Sequence, residues 1–332
     1  MKKIRIAQIG TGHTHAGACF NTLKKRSDLF EIVGVAEPEK ERLVRLERET
    51  YKGFPVYTVD EILNMKDLDA VTVETDEEYL SKYAIAAAEK KLHVHMDKPG
   101  GLLYDDFAKL VEIVKKNDTV LHLGYMYRYN PYVLQLLKEV RNGEFGEIFA
   151  VEAQMSGHVD YDIRKWLSTL PGGMMFFLGC HLVDLLLLIR GIPEKVVPFN
   201  RCTGHDGLDC TDYGMAVFTY KNGVSFLKSN ASEIGGFTRR QLVVTGTKKS
   251  VELKPFETVL DKGGQVTDKV EYLTEEWFEK GISSRTEPFD RYDAMLEAFA
   301  KMAAGEKKNP FTPDYELQVF RTVLQCCNVE ID

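Results

Sequence analysis

Residues 4–37 decide the fold, and they read IRIAQIGTGHTHAGACFNTLKKRSDLFEIVGVAE. The alternation of apolar residues over 4–9 predicts a β-strand, and the apolar run 32–36 predicts a second one. Between them lie the turn Gly10-Thr11-Gly12 and a predicted helix from about residue 14 to 27. The order strand, glycine turn, helix, strand, acidic residue is that of a dinucleotide-binding βαβ unit.

Each part of this unit has a role in holding a dinucleotide. Gly10 permits the tight turn, Gly12 lets the backbone approach a pyrophosphate, and the helix N-terminus offers free N–H groups. Glu37 follows the second strand, where a carboxylate accepts hydrogen bonds from the adenosine ribose and repels a 2′-phosphate. The pattern therefore favours NAD over NADP. The third glycine position holds His15, so close helix–strand packing requires a shifted register.

A second stretch, LHVHMDKPGG at residues 92–101, indicates a short strand that ends abruptly. Lys98 follows that strand, and open α/β sheets bind their ligands at the carboxyl ends of strands. A surface lysine in a turn is the alternative interpretation. Further strands at 70–73 and 119–123 alternate with helices, which predicts a doubly wound parallel sheet that ends near residue 125.

The residues after 125 have a different sequence pattern. Strand-like runs dominate residues 195–272, with hairpin turns at Lys221-Asn222-Gly223 and Lys262-Gly263-Gly264. Two helices, at about 285–304 and 313–328, close the chain. We therefore predict an α/β protein with a Rossmann domain at 1–125 and an α+β domain with a large, mostly antiparallel sheet at 126–332.

Composition restricts the class of protein. The 332 residues are 44% hydrophobic and 28% charged, which suits a two-domain soluble protein. A formal net charge of −7 argues against a nucleic-acid binder. We see neither a signal peptide nor a membrane span, and the six cysteines lack zinc-like spacing. We therefore expect a cytoplasmic protein with reduced thiols and no membrane partner.

Five segments, in this order, resemble landmarks of the glucose–fructose oxidoreductase/inositol dehydrogenase/MocA family. They are Ile9–Gly12, Asp97–Pro99, Tyr125–Pro131, Gly143–Ile148 and Gly179–Asp184. The resemblance implies an NAD(P)-dependent oxidoreductase that acts on sugars, cyclitols and related polyols. It also implies a substrate-binding C-terminal domain, and a homodimer or homotetramer joined through the sheet of that domain.

The resemblance assigns roles to individual residues. Lys98 would touch both cofactor and substrate hydroxyl, His181 would be the acid/base, and Arg128 and His158 would contact the substrate. Histidine suits the acid/base role because its ordinary pKa lies near neutral pH. A core histidine on an apolar helix is the alternative for His181, and helix packing is the alternative for His13. The expected cofactor site comprises Gly10, Thr11, Gly12, His13, Glu37, Thr75, Asp97 and Lys98.

The chain departs from the family pattern at three places. Phe177 replaces an aspartate often found four residues before the histidine, and Met174 replaces the last glycine of a Gly-Gly-Gly run. The usual Thr-Pro-Asn turn is Thr75-Asp76-Glu77. The aspartate-assisted proton relay therefore does not carry over. Asp184, on the same helix face as His181, either orients the imidazole or caps a neighbouring element.

Two questions of chemistry follow from these residues. His93 and His95 precede Asp97 on one strand, but no matching ligand set is evident elsewhere, so we predict no metal. The main functional prediction is hydride transfer between nicotinamide and a hydroxyl or carbonyl of a small sugar-like substrate. The alternatives are a glycosidase or lyase that retains NAD and uses transient oxidation, and a non-catalytic NAD-sensing binding protein.

Overall fold

The computed structural model describes residues 2–331 and divides the chain into two compact units. The N-terminal unit contains the residues up to 126 together with 292–318. The C-terminal unit contains 127–291 and the residues from 319 onward. The first stretch of the N-terminal unit ends at residue 126, one residue after the predicted boundary at 125. The prediction of a single boundary did not include the return of the chain to this unit at residue 292.

Ion pairs explain why residues 292–318 belong to the N-terminal unit. Lys25 Nζ lies 2.5 Å from Asp293 Oδ2, and Arg26 Nη1 lies 3.0 Å from Glu297 Oε2. The Phe299 ring also stacks on the His122 ring with 5.6 Å between centroids. These contacts join residues that are distant in sequence. The sequence pattern of residues 293–303 alone therefore gives no indication of them.

The N-terminal unit is built on a five-stranded parallel sheet in the order β2-β1-β3-β4-β5. Strands β3 and β5 are buried along their whole length, as expected when helices cover both faces. The predicted doubly wound Rossmann sheet is confirmed. The strands are β1 Ile4–Ile9, β2 Phe30–Ala36, β3 Ala70–Val73, β4 His93–Met96 and β5 Leu121–Leu123; the helices are α1 Ala16–Lys25, α2 Val59–Leu63, α3 Glu77–Glu89 and α4 Tyr104–Asn117.

One predicted helix of this unit takes a different form. The sequence predicts a helix over about 39–50, but residues Lys40–Glu47 form a 3₁₀ helix without a buried residue. Two of its branched apolar residues, Leu43 and Val44, are exposed, and the third, Leu46, is only partly buried, against a core cluster that includes Phe20. Since most helical stability in proteins comes from packing an apolar face, a segment with so narrow a packed face can take the tighter form.

The C-terminal unit contains an eight-stranded sheet in the order β15-β14-β11-β10-β6-β9-β8-β7. Its neighbouring strands are antiparallel except for β6 and β9, which confirms the mostly antiparallel prediction. Buried and half-buried residues alternate along β8, so one face of the sheet packs on the core. The strands are β6 Ile148–Gln154, β7 Lys195–Pro198, β8 Tyr213–Tyr220, β9 Gly223–Asn230, β10 Gln241–Gly246, β11 Ser250–Leu253, β14 Asp268–Tyr272 and β15 Ile282–Arg285, with a separate pair β12 Thr258–Val259 and β13 Gln265–Val266.

The helices that follow residue 126 are mostly short. The prediction of a helix from about 285 is wrong at its start, because β15 ends there and the helix begins at Asp293. Pro288 disfavours a helical conformation at the residue before it. The elements are α5 Pro131–Arg141, α6 Tyr161–Leu167, a π-helical turn Met175–Gly179, α7 Cys180–Arg190, α8 Asp293–Ala303 and α9 Pro313–Cys326. Between residues 2 and 331, no helix is both long and apolar enough to cross a bilayer.

Candidate functional site

The predicted cofactor residues lie at the carboxyl edge of the N-terminal sheet. Parallel strands present these ends along one edge, which is where open α/β sheets bind ligands. All eight residues follow one of the strands β1 to β4 closely: Gly10, Thr11, Gly12 and His13 after β1, Glu37 after β2, Thr75 after β3, and Asp97 and Lys98 after β4.

The glycine turn packs directly against the turn that follows β3. Gly10 has a φ of +92°, and a Cβ added to it would lie 2.5 Å from Thr75 Cγ2 and 2.7 Å from Thr75 N. A Cβ on Gly12 would lie 2.7 Å from Asp76 Oδ1. Both glycines are therefore required by close approach within the protein itself.

Replacing Gly10 with alanine should destabilise the N-terminal unit by about 1–3 kcal/mol, because the new methyl group overlaps the backbone at Thr75. Urea unfolding followed by circular dichroism measures this change. Gly17 is the matched control, since an added Cβ there meets nothing within 4 Å. Gly17→Ala, inside α1, should be neutral or stabilise by about 0.5–1 kcal/mol. Equal stability of both variants would contradict the packing described here.

Backbone donors at this turn suit a pyrophosphate. Within residues 2–331, the N–H groups of Gly12 and Thr14 make no hydrogen bond. Both precede α1, whose N-terminal end favours negative charge. The residues present therefore fit a dinucleotide.

Two arginines that the sequence analysis missed lie at the same turn. Arg45 Nη1 donates to the carbonyl oxygens of Thr11, at 2.6 Å, and Gly12, at 3.0 Å. Arg42 forms an ion pair with Asp76. The only signal for them is their spacing of three residues in the charged segment after Glu37, which a solvated helix face explains equally well.

Glu37 is buried and already bonded within the protein. Its Oε2 accepts hydrogen bonds from Thr11 N at 2.7 Å and Thr11 Oγ1 at 2.5 Å, and its Oε1 accepts one from Glu39 N at 2.9 Å. Since a carboxylate oxygen has two acceptor sites, Oε1 retains one for a ribose hydroxyl. Glu37 also lines a cavity of about 680 Å³, within the usual range for small-molecule sites; Pro38, Leu43, Tyr57 and Tyr83 contribute to its wall.

Lys98 is 1% exposed, so the alternative of a surface lysine is wrong. The backbone N–H of Lys98 donates to Asp97 Oδ1 at 2.7 Å. Asp97 Oδ2 lies 2.9 Å from His13 Nδ1 and 3.0 Å from His15 Nδ1. The motif lysine is thus held by a carboxylate that is itself fixed by two histidines.

Charge within this cluster is partly balanced. Burial alone would lower the pKa of His13, but Asp97 and Glu77 outweigh burial and raise that pKa to about 10. Burial lowers the pKa of His15 to about 4, against the attraction of Asp97. Burial would raise the pKa of Asp97, but the two histidines lower it well below its usual range. We conclude that a charged His13 lies between the carboxylates Asp97 and Glu77 while His15 is neutral.

In the C-terminal unit, Arg128 and Asp184 form a buried bidentate ion pair. Arg128 Nε donates to Asp184 Oδ2 at 2.9 Å, and Nη2 donates to Oδ1 at 2.7 Å. Arg128 and Asp184 are each 1% exposed. Asp184 therefore holds the guanidinium of Arg128, a role that the sequence analysis did not consider.

His181, on α7, is 2% exposed and contacts the Tyr127 ring edge-on at 4.8 Å between centroids. Tyr127 donates its hydroxyl hydrogen to Glu257 Oε2 at 2.6 Å, and Arg240 Nη1 lies 2.7 Å from the same oxygen. The sequence did not predict this buried network, because Glu257 is 130 residues from Tyr127 and belongs to no recognisable local motif.

The other two positions singled out in this unit differ in burial and packing. His158 is exposed and forms an isolated bridge with Ser232. Phe177 packs edge-on against Trp166, with 5.0 Å between centroids. An aromatic pair thus stands where many family members have a carboxylate.

Known oxidoreductases and a hydratase are similar to this chain. An uncharacterized oxidoreductase of Rhizobium meliloti, ORF334, is 22% identical over 97% of this chain and 96% of its own. The 2,7-anhydro-N-acetylneuraminate hydratase of Mediterraneibacter gnavus is 24% identical over 62% of this chain and 55% of its own. The structure of the aldose-aldose oxidoreductase of Caulobacter crescentus, solved with glycerol, matches this chain with a TM-score of 0.81 and 19% identity. The match covers 98% of this chain and 97% of that chain.

Two family descriptions cover most of the chain. Residues 4–125 match an oxidoreductase family with an NAD-binding Rossmann fold, and residues 133–252 match the GFO/IDH/MocA C-terminal domain. The resemblance stated from the five sequence segments is thereby confirmed. The chain belongs to the GFO/IDH/MocA family of NAD(P)-binding oxidoreductases.

Proposed function

We propose that this protein is an NAD-dependent oxidoreductase that transfers a hydride between nicotinamide and a hydroxyl or carbonyl of a sugar, cyclitol or related polyol. The observation that carries the proposal is the burial of Lys98 at the carboxyl end of β4, on the sheet edge that bears the glycine turn. Open α/β sheets bind their ligands at that edge, and by the family resemblance Lys98 matches the lysine that touches cofactor and substrate.

Different side chains would have different roles in such a reaction. Bound NAD supplies the hydride acceptor. The Lys98 ammonium group donates a hydrogen bond to the reacting oxygen and stabilises the negative charge that develops on it. Asp97, fixed by His13 and His15, holds the backbone of Lys98 in place. His181, by the family resemblance, accepts the alcohol proton.

Glu37 supports the preference for NAD, because its carboxylate would repel a 2′-phosphate. Glu37→Gln should weaken NAD binding by about 10- to 100-fold, which corresponds to the free energy of one hydrogen bond to a charged group. It should also reduce the preference for NAD over NADP. Fluorescence titration with each cofactor measures both effects. The exposed Glu41 is the matched control, and Glu41→Gln should leave both affinities unchanged. An unaltered NAD affinity in Glu37→Gln would contradict the assignment.

A second candidate is a lyase or glycosidase that retains NAD and oxidises its substrate transiently. Two observations favour keeping it: a relative is named a hydratase, and Phe177 removes the usual carboxylate. Such an enzyme would cleave or dehydrate its substrate without net formation of NADH.

A substrate screen tests both functions. The protein would be incubated with NAD or NADP and a panel of aldoses, cyclitols and alditols, and separately with aryl glycosides. The proposal expects reduced cofactor to accumulate with at least one polyol. Cleavage of a glycoside with no net reduction would instead establish the second function, and no reaction with either set would contradict both.

The open face of the C-terminal sheet suggests how copies of the chain associate. Val224 on β9 is 52% exposed, and it alternates with the buried residues Ser225 and Leu227, which places it on the open face. Together with the family resemblance, this exposed apolar residue supports a homodimer or homotetramer joined through the sheet. This association belongs to the proposal, as does the small sugar-like substrate.

A further inference from the structure

A second group of reactive side chains lies buried in the N-terminal unit. Cys19 projects from α1, Glu74 follows β3, and His95 lies on β4. The three residues are at most 1% exposed. One ligand atom from each (the sulfur, a carboxylate oxygen and a ring nitrogen) lies within 4.8 Å of the other two. Nothing in the proposed hydride transfer uses them.

Glu74 is the anomaly in this group. It is 0% exposed, and within residues 2–331 no nitrogen donates a hydrogen bond to its carboxylate oxygens; the Cys19 thiol and the Asp97 carboxyl group are the groups that interact with it. A buried carboxylate with so few donors is strongly disfavoured unless it is protonated or paired with a cation. Burial and the nearby Asp97 raise the pKa of Glu74 to about 8, so protonation is the competing explanation.

His95 is oriented as a metal-binding histidine is. Its Nδ1 lies 2.8 Å from His122 Nδ1, so the two rings share one proton. When His95 donates that proton, its Nε2 carries a lone pair and faces Glu74 Oε1 at 3.9 Å. Metal-bound histidines usually donate their other ring N–H to a neighbouring acceptor, and His122 is such an acceptor.

We propose that Cys19, Glu74 and His95 bind a divalent transition-metal ion of the zinc class. Thiolate, imidazole and carboxylate together suit Zn²⁺, at about 2.3, 2.0 and 2.1 Å respectively. In a tetrahedron, these bond lengths place the nitrogen and oxygen about 3.4 Å apart. The observed 3.9 Å therefore shortens by about 0.5 Å on binding, and the two distances to the sulfur, each at most 4.8 Å, shorten toward about 3.5 Å. Binding releases the protons of the thiol and the carboxyl group, and water would take the fourth position.

The neighbouring group His13, His15 and Asp97 is also compact, but its carboxylate is already paired within the protein. Asp97 accepts from the Lys98 backbone through one oxygen and lies within hydrogen-bond distance of both histidines through the other. The sequence prediction of no metal considered the residues of one strand, 93–97. The proposed ligands instead come from three separate elements, and His93 is not among them.

Metal analysis of the untagged full chain, purified without chelators from cells supplied with zinc, tests the proposal. We expect about one zinc ion per chain, and loss of at least about 90% of it in Cys19→Ala and in Glu74→Gln. Cys202→Ala is the matched control, because Cys202 is an exposed cysteine of the C-terminal unit. Its metal content should equal that of the wild type. A metal-free wild type, or equal metal in the Cys19 and Cys202 variants, would overturn the proposal.

If the Cys19 or Glu74 variant does not fold, cobalt substitution of the wild type still tests the proposal. Co²⁺ bound by a thiolate gives a near-ultraviolet charge-transfer band, which we expect in the wild type and in Cys202→Ala. Replacing the acceptor, as in His122→Phe, should weaken metal affinity by about 10- to 100-fold. Absence of the band in the cobalt-exchanged wild type would overturn the proposal. Neither measurement uses NAD or a substrate. A negative result would therefore contradict the metal site without contradicting the proposed hydride transfer.

Discussion

Lys98→Ala should lower kcat by about 10²–10³-fold on any polyol that the wild type oxidises, because the reacting oxygen loses its charged donor. The backbone N–H that Asp97 accepts remains, so the turn should persist. Lys98 would also touch the cofactor, so we expect the loss in kcat to exceed any loss in NAD affinity. Steady-state kinetics together with a fluorescence titration of NAD separate the two.

The exposed Lys91, which precedes the same strand, provides the control for Lys98. Lys91→Ala removes the same charge from a solvated position and should keep the wild-type kcat. If Lys98→Ala retained the wild-type kcat as well, Lys98 would have no part in the reaction.

Asp184→Ala should lower the free energy of unfolding by about 3–5 kcal/mol, because it leaves the guanidinium of Arg128 without its carboxylate. Both side chains of this pair are withdrawn from water, so solvent cannot replace the lost partner. Urea denaturation monitored by circular dichroism gives the difference.

Two further variants separate the ion pair from a general effect of substitution. Asp261→Ala, at an exposed aspartate, should change stability by less than about 0.5 kcal/mol. The double variant Arg128→Met, Asp184→Leu should recover much of the loss, since apolar residues of similar volume often replace a buried pair at little cost. A loss in Asp184→Ala no greater than in Asp261→Ala would mean that the pair does not stabilise the unit.

The fold was largely predictable because its signals are local. Gly10 and Gly12 stand between two apolar strands, and that order alone indicates the parallel sheet. The burial of Lys98 followed from its place after β4. The return of residues 292–318 to the N-terminal unit was not predictable, because it depends on ion pairs such as Arg26 with Glu297, which are distant in sequence.

The candidate site shows the same limit. The glycine turn and Asp97 belong to recognisable motifs, and the sequence identified them. Arg45, Glu257 and Glu74 belong to none, and the fold alone brings each to its partners. Asp184 was noticed for its place on the helix of His181, but its actual partner is 56 residues away.

The most direct test of the central claim follows a deuterium atom. The protein would be mixed with NAD and with the most reactive polyol of the screen, deuterated at the carbon that is oxidised, and the reduced cofactor would be analysed by mass spectrometry. Direct hydride transfer predicts one deuterium per reduced nicotinamide from the wild type, and formation at least about 100-fold slower from Lys98→Ala. Reduced cofactor without deuterium, or equal rates from the two proteins, would contradict it.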